Sequence, residues 1–208
     1  MEQKITPRGR GRPRLFDRPE ALEQAMRLFW TKGYGATSIA DLTEVMGIGS
    51  KSLYTAFGSK DALYSEALDR YLERYNQTVW GRFDSAPTAR EAIEALLMDS
   101  AAFVSSASVD GDPRGCMILL SNTGAEGNVQ LGELIRSLRQ EFMERIEARL
   151  ENAVASDELS PMTNTGVVSR LILALLTGIA MQARDGVPTG TLEETARVST
   201  RSWELWLA

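Results

Sequence analysis

Apolar residues recur at three- and four-residue spacing along most of this chain, and strict alternation of apolar and polar positions is absent. That pattern predicts helices throughout and an all-α fold of about nine helices. Leu22, Ala25, Met26 and Phe29 mark one face of a first helix. Asp17 suits its N-cap, Pro19 and Glu20 its first turn, and Lys32-Gly33 its end. A second short helix follows, capped by Thr37 or Ser38, with Ile39, Leu42, Val45 and Met46 as its apolar face and Gly47 as its stop. A third begins near Gly49-Ser50, turns Leu53 and Phe57 inward and ends near Gly58. Ser59 caps a fourth, long helix over 60–80, with Leu63, Ala67, Leu68, Tyr71 and Tyr75 in a stripe.

The remainder reads the same way. A helix is expected from Thr88 to about Ser106, with Ile93, Leu96, Leu97 and Phe103 inward, then a loop over 109–113 and a short helix from Arg114 to Leu120. After a loop over 122–127 comes a long amphipathic helix from Asn128 to about Ala155. A third loop precedes an apolar helix from Val167 to about Arg184, and the last helix runs from Thr191 to Leu207 with Trp203 and Trp206. The most apolar run, Leu171 to Met181, is too short to span a bilayer and is read as a buried helix; no membrane association is expected.

Charge changes the picture. The formal net charge is -5, yet residues 1–60 hold 10 Lys and Arg against 6 Asp and Glu, and the rest hold 13 against 22. The front is basic and the back acidic, so one end can face a polyanion while the other keeps the molecule apart from it. Residues 1–16 read as a flexible basic arm, Arg8, Arg10, Arg12 and Arg14 alternating with Gly and Pro. The single cysteine, Cys116, rules out an intrachain disulfide and fits a reducing cytoplasm. The basic N-terminus lacks a following apolar stretch, so no secretory signal is expected.

Residues 37–63 carry the chemistry. Two short helices flank a tight turn, Met46-Gly47-Ile48-Gly49, in which Gly47 can take a positive φ. A helix as short as Ser50 to Phe57 needs packing to persist. Clamped from behind by Leu53 and Phe57, it turns Ser50, Lys51, Ser52, Tyr54 and Thr55 outward. Small hydroxyls, a cation and a phenol on one short rod suit the major groove of duplex DNA.

Residues 15–64 resemble the N-terminal domain of the TetR/AcrR family of bacterial transcriptional regulators. The resemblance rests on Ala25, Leu28, Phe29 and Gly33-Tyr34, on Thr37, Ile39, Ala40 and Gly47, and on Leu53-Tyr54, Phe57, Lys60 and Leu63. It implies a helix-turn-helix DNA-binding domain over 17–62 and a helical effector-binding and dimerisation domain over 63–208. It implies base-edge contacts from Ser50, Lys51, Ser52 and Thr55, and phosphate contacts from Tyr54 and Lys60. Thr37 and Ser38 would bring the N-terminus of the second helix to a phosphate. Gly49 and Lys51 fall where the family varies, which leaves the operator sequence open. The arm, Pro7 to Arg14, also resembles an AT-hook core, and extended arginines can lie in a narrow minor groove.

A homodimer is expected, because one helix-turn-helix rarely reads enough DNA for specificity. Its interface is assigned to the apolar helix with Ala174, Gly178 and Ala180, and to the last helix with Trp203 and Trp206; in the family the last two helices form a four-helix bundle. The middle helices are expected to enclose a small-molecule effector, lined by Met98, Phe103, Cys116, Met117, Leu120, Phe142 and Met181. Ordinary core packing is the alternative for each of these. Cys116 follows Arg114-Gly115, which would lower its pKa at a helix start and open a sensing role beside the inert one.

Catalysis is not expected. The chain has no histidine, one cysteine cannot build a zinc site, and Gly47-Ile48-Gly49-Ser50 lacks the strand and Lys-Ser/Thr of a phosphate loop. Glu144/Glu147 and Glu193-Glu194 read as solvated pairs. No cofactor or metal is expected. The sequence therefore points to a cytoplasmic, nucleoid-associated repressor that leaves a palindromic operator when a small molecule binds. A constitutive or architectural DNA binder without effector is the alternative.

Overall fold

The computed structural model describes residues 16–105, 112–122 and 128–207. The four arm arginines and most of the loops expected over 109–113 and 122–127 lie outside them. Every regular element among the described residues is helical. They are α1 Arg18–Lys32, α2 Ile39–Met46, α3 Ser50–Phe57, α4 Lys60–Tyr75, α5 Gly81–Ser85, α6 Ala89–Ser105, α7 Val129–Ala155, α8 Thr165–Arg184, α9 Thr189–Arg201 and α10 Trp203–Trp206.

The starts follow their caps. The side chains of Asp17, Ser38, Ser59, Asn128 and Asn164 each accept a backbone N–H from the first turn of the helix they open. Ser38, not Thr37, caps α2, in a box closed by Asp41. Val45, expected on the apolar face of α2, is exposed, because Leu42 and Met46 already fill the contact with α1.

Three elements depart from the pattern. The long fourth helix is α-helical only to Tyr75; a π turn, Asn76–Trp80, follows and leads into α5. The wider turn adds one residue to the repeat and brings Val79, Trp80 and Phe83 onto the inner face. Residues 114–120 form turns rather than a helix. Gly115 sits at φ +89, outside the helical region, and its carbonyl, which a helix would give to the Leu119 N–H, accepts the Trp30 indole N–H at 3.0 Å; Arg139 of α7 then takes the carbonyls of Ile118, Leu119 and Ser121 at 2.5–3.1 Å. The last helix breaks at Ser202, separating Trp203 from α9.

One continuous apolar cluster runs from Ala21 in α1 to Trp203. Its centre is aromatic. Trp30 meets Tyr71 edge-on at 4.9 Å, Tyr75 meets Phe103 at 5.2 Å, and Tyr75 stacks on Phe142 at 5.2 Å. The apolar helix is not wholly buried. α8 turns Val168, Ile172, Leu176, Ile179 and Ala183 inward and leaves Val167, Leu171 and Met181 exposed. At 20 residues it is long and apolar enough to cross a membrane by length and composition, where the apolar run alone was too short. Here it packs along α6 and α7.

Candidate nucleic-acid interface

α3 is eight residues long and depends on its neighbours. Leu53 and Phe57 are buried behind it. Gly47, at φ +63 and ψ +28, turns the chain from α2 into α3, its N–H reaching the carbonyl of Glu44 at 3.2 Å. Two braces fix this pair on the rest. Lys32 at the end of α1 binds Asp41 at 3.1 Å. Arg18 at the start of α1 lies 4.3 Å from the Phe57 ring centroid, donates to the Ala56 carbonyl at 3.2 Å and pairs with Glu66 at 2.8 Å. The α1 start, the α3 end and α4 thus share one guanidinium.

The outward face of α3 is as expected from the pattern: Ser50, Lys51, Ser52, Tyr54 and Thr55 are all exposed, Tyr54 to 48%. The Thr55 hydroxyl donates to the Lys51 carbonyl at 2.7 Å, which occupies its proton. No side chain caps the N-terminus of α3. Its first N–H groups lie at the positive end of the helix dipole, which favours a negative charge.

The other expected contacts differ. Thr37 is buried and its hydroxyl donates to the Gly33 carbonyl at 2.6 Å, so it closes the α1–α2 turn rather than meeting a phosphate. Ser38 is exposed, but its hydroxyl and its N–H both go to Asp41. The backbone N–H of Ser38, then its hydroxyl, then Lys32 hold the Asp41 carboxyl down at about 2. An anion therefore already stands at the head of α2. Lys60 places its ammonium 4.1 Å from the Tyr34 ring centroid, and Tyr34 donates to Asp61.

Among the described residues, the seven expected around an effector fall in different places. Cys116, Met117 and Phe142 are buried, and Met98, Phe103 and Leu120 are partly so. Met181 is 49% exposed on the outer face of α8, because Ile179, Ala180 and Ala183 take the inward positions there. Met117 and Leu120 line a cavity of about 120 Å³ between the end of α1, Tyr64 and Arg184. Phe142 borders a separate cleft of about 220 Å³ with Leu72, Trp80 and Arg145. Cys116 is not at a helix start: burial pushes its thiol up, and Tyr71 donates to its Sγ at 3.2 Å.

Sequence reasoning missed the joints between the two halves. Asp112 receives Arg27 at 2.8 Å and also Arg74, while Glu23 receives Arg74 at 2.7 Å. Burial raises the Asp112 carboxyl, and the hydrogen bonds and charge of the two arginines more than offset it, leaving it lowered. Trp30 donates its indole N–H to the Gly115 carbonyl at 3.0 Å. Asn128, the cap of α7, donates to Asp61 at the head of α4 at 3.1 Å. One signal was visible for Arg18: a cation in the first turn opposes the helix dipole and so implies a partner elsewhere.

Known proteins share this arrangement. The family described as bacterial regulatory proteins, tetR family, matches residues 21–67. The repressor ComR of Escherichia coli is 30% identical, covering 94% of this chain and 93% of its own length. The repressor BdcR of the same organism is 27% identical over 96% of this chain and 95% of its own. Among solved structures, a cysteine-substituted CifR bound to 26-base-pair operator DNA is 35% identical, with a TM-score of 0.84 over 92% of this chain and 99% of CifR.

Proposed function

Because this chain belongs to the TetR family of bacterial regulatory proteins, we propose that it is a transcriptional repressor. It binds a palindromic operator as a homodimer and releases it when a small molecule occupies the C-terminal helices. The observation that carries this reading is the exposed polar face of α3, held rigid by Leu53, Phe57 and the Arg18 brace. ComR and BdcR, repressors of comparable length, and CifR, with DNA bound, support it.

Residues 17–62 are the DNA-binding unit and 63–208 the effector and dimerisation unit. Ser50, Lys51, Ser52 and Thr55 read base edges, Tyr54 and Lys60 hold phosphates, and Arg8, Arg10, Arg12 and Arg14 enter a flanking minor groove. The two units meet through Asp112, Gly115 and Asn128, so a ligand in the C-terminal helices that displaces these joints shifts the population away from the DNA-binding arrangement. The ligand is bound, not turned over, and the protein acts in the cytoplasm.

The test is a gel shift with fragments from the promoter region of its own gene at low ionic strength. A retarded complex is expected, with Lys51→Ala weakening it. Removing residues 1–14 should lower the magnitude of the salt slope, by ~0.9 for each phosphate the arm neutralises. No shift of any fragment would overturn the reading.

A further inference from the structure

Beside the outward face of α3 lies a groove of about 250 Å³ lined by Phe16, Lys51, Ser52, Thr55 and Ala56. Lys51, Ser52, Thr55 and Ala56 fall one and four residues apart, so they share one side of the helix. Phe16 comes from outside it. The chain just after Phe16 is held there, since Arg18 binds the Ala56 carbonyl and covers the Phe57 ring. Phe16 and Ala56 are the apolar residues of the groove, beside Thr55 with its hydroxyl engaged by the Lys51 carbonyl; Lys51 and Ser52 supply the polar part.

Granting that α3 enters the major groove, this slot stands at the edge of the contact. Duplex DNA offers there one apolar group, the C5-methyl of thymine, which apolar side chains read. We infer that Phe16, with Thr55 and Ala56, forms a receptor for a thymine methyl, which makes Phe16 a specificity-determining residue outside the helix-turn-helix. The neighbouring charge fits the same partner. Lys51 borders the slot, and Arg14 precedes Phe16 by two residues, within ~7 Å of extended chain.

The full-length protein is used with the duplex it selects from a randomised pool. Each thymine is replaced in turn by deoxyuridine, which lacks only the methyl. At one position per half-site the affinity is expected to fall about fourfold, the worth of one buried methylene-sized group. Phe16→Ala should lose a similar factor on the thymine duplex and become indifferent to uridine at that position, the signature of a coupled pair. Its salt slope should match wild type, because every phosphate contact is kept. Phe16→Leu should keep most of the discrimination. Each thymine-to-uridine ratio is taken within one variant, so a loss of stability does not disturb it. An unchanged ratio in Phe16→Ala, or an altered salt slope, overturns the inference. If Lys51→Ala also binds as wild type, the placement of α3 in the groove is what has failed.

Discussion

Gly47 sits at φ +63, and a Cβ there would meet nothing within 4 Å. The demand for glycine is thus purely conformational, and Gly47→Ala should cost about 1–2 kcal/mol, read from the urea midpoint. Asp41 sets a pH dependence. Its folded value of about 2 lies below the ordinary 3.8, so its contribution is in full force above 3.8 and fades as pH falls toward 2. Asp41→Asn should flatten the stability profile in that window and leave neutral-pH unfolding with a smaller midpoint, measured by denaturation at a series of pH values. Cys116 reverses an expectation of the sequence. Arg114 and Gly115 suggested a thiol made acidic at a helix start, but residues 114–120 form no helix and burial raises the thiol. Thiolate is scarce at neutral pH, so the native protein should resist a thiol reagent that labels the unfolded chain at once.

At the scale of elements, what the pattern made legible is what local chemistry decides. Asp17, Ser59 and the glycines after α1, α2 and α3 are capping and turn signals that need no distant partner, and the structure uses them as such. The stripe from Leu63 to Tyr75 is buried as its spacing required. The short helix at 114–120 failed because Gly115 takes a positive φ and gives its carbonyl to Trp30 of α1, 85 residues away, and spacing within a segment carries no trace of such a claim. The π turn at Asn76–Trp80 was hidden for a related reason, since only the tertiary need to bury Trp80 and Phe83 shifts the helical phase. The displacement of Thr37 and Met181 from their expected sites is of this kind too: which side of a helix is covered depends on what packs there. Asp112, from a segment without regular structure, ties Arg27 of α1 to Arg74 of α4. Asp112→Ala would leave the two arginines with Glu23 as their remaining carboxylate in this cluster. It should cost about 1.5–3 kcal/mol, the range for hydrogen bonds to charged groups, in thermal or urea unfolding.

For the whole molecule, the outer side of α8 is an apolar surface that the single chain leaves uncovered. Val167, Leu171, Ala174, Gly178 and Met181 follow one another at three- and four-residue steps, and Val167 and Leu171 are 60% and 39% exposed. Gly178 has open space where a Cβ would stand, so nothing within the chain explains its small size. A small residue between apolar neighbours lets a second helix come close, and reading two half-sites needs a second copy. The inward residues of α8 already secure the monomer through α6 and α7, so the two roles are separable by mutation. Leu171→Arg places a charge on the outer stripe without touching that core. By analytical ultracentrifugation it should sediment as a monomer where wild type is a dimer, with helix content by circular dichroism unchanged. Its affinity for the two-half-site duplex should drop to that for a single half-site, while Lys51→Ala remains dimeric and binds both duplexes more weakly. A Leu171→Arg protein that stays dimeric would move the interface off this stripe, to the α9 side where Val198 and Leu205 are exposed.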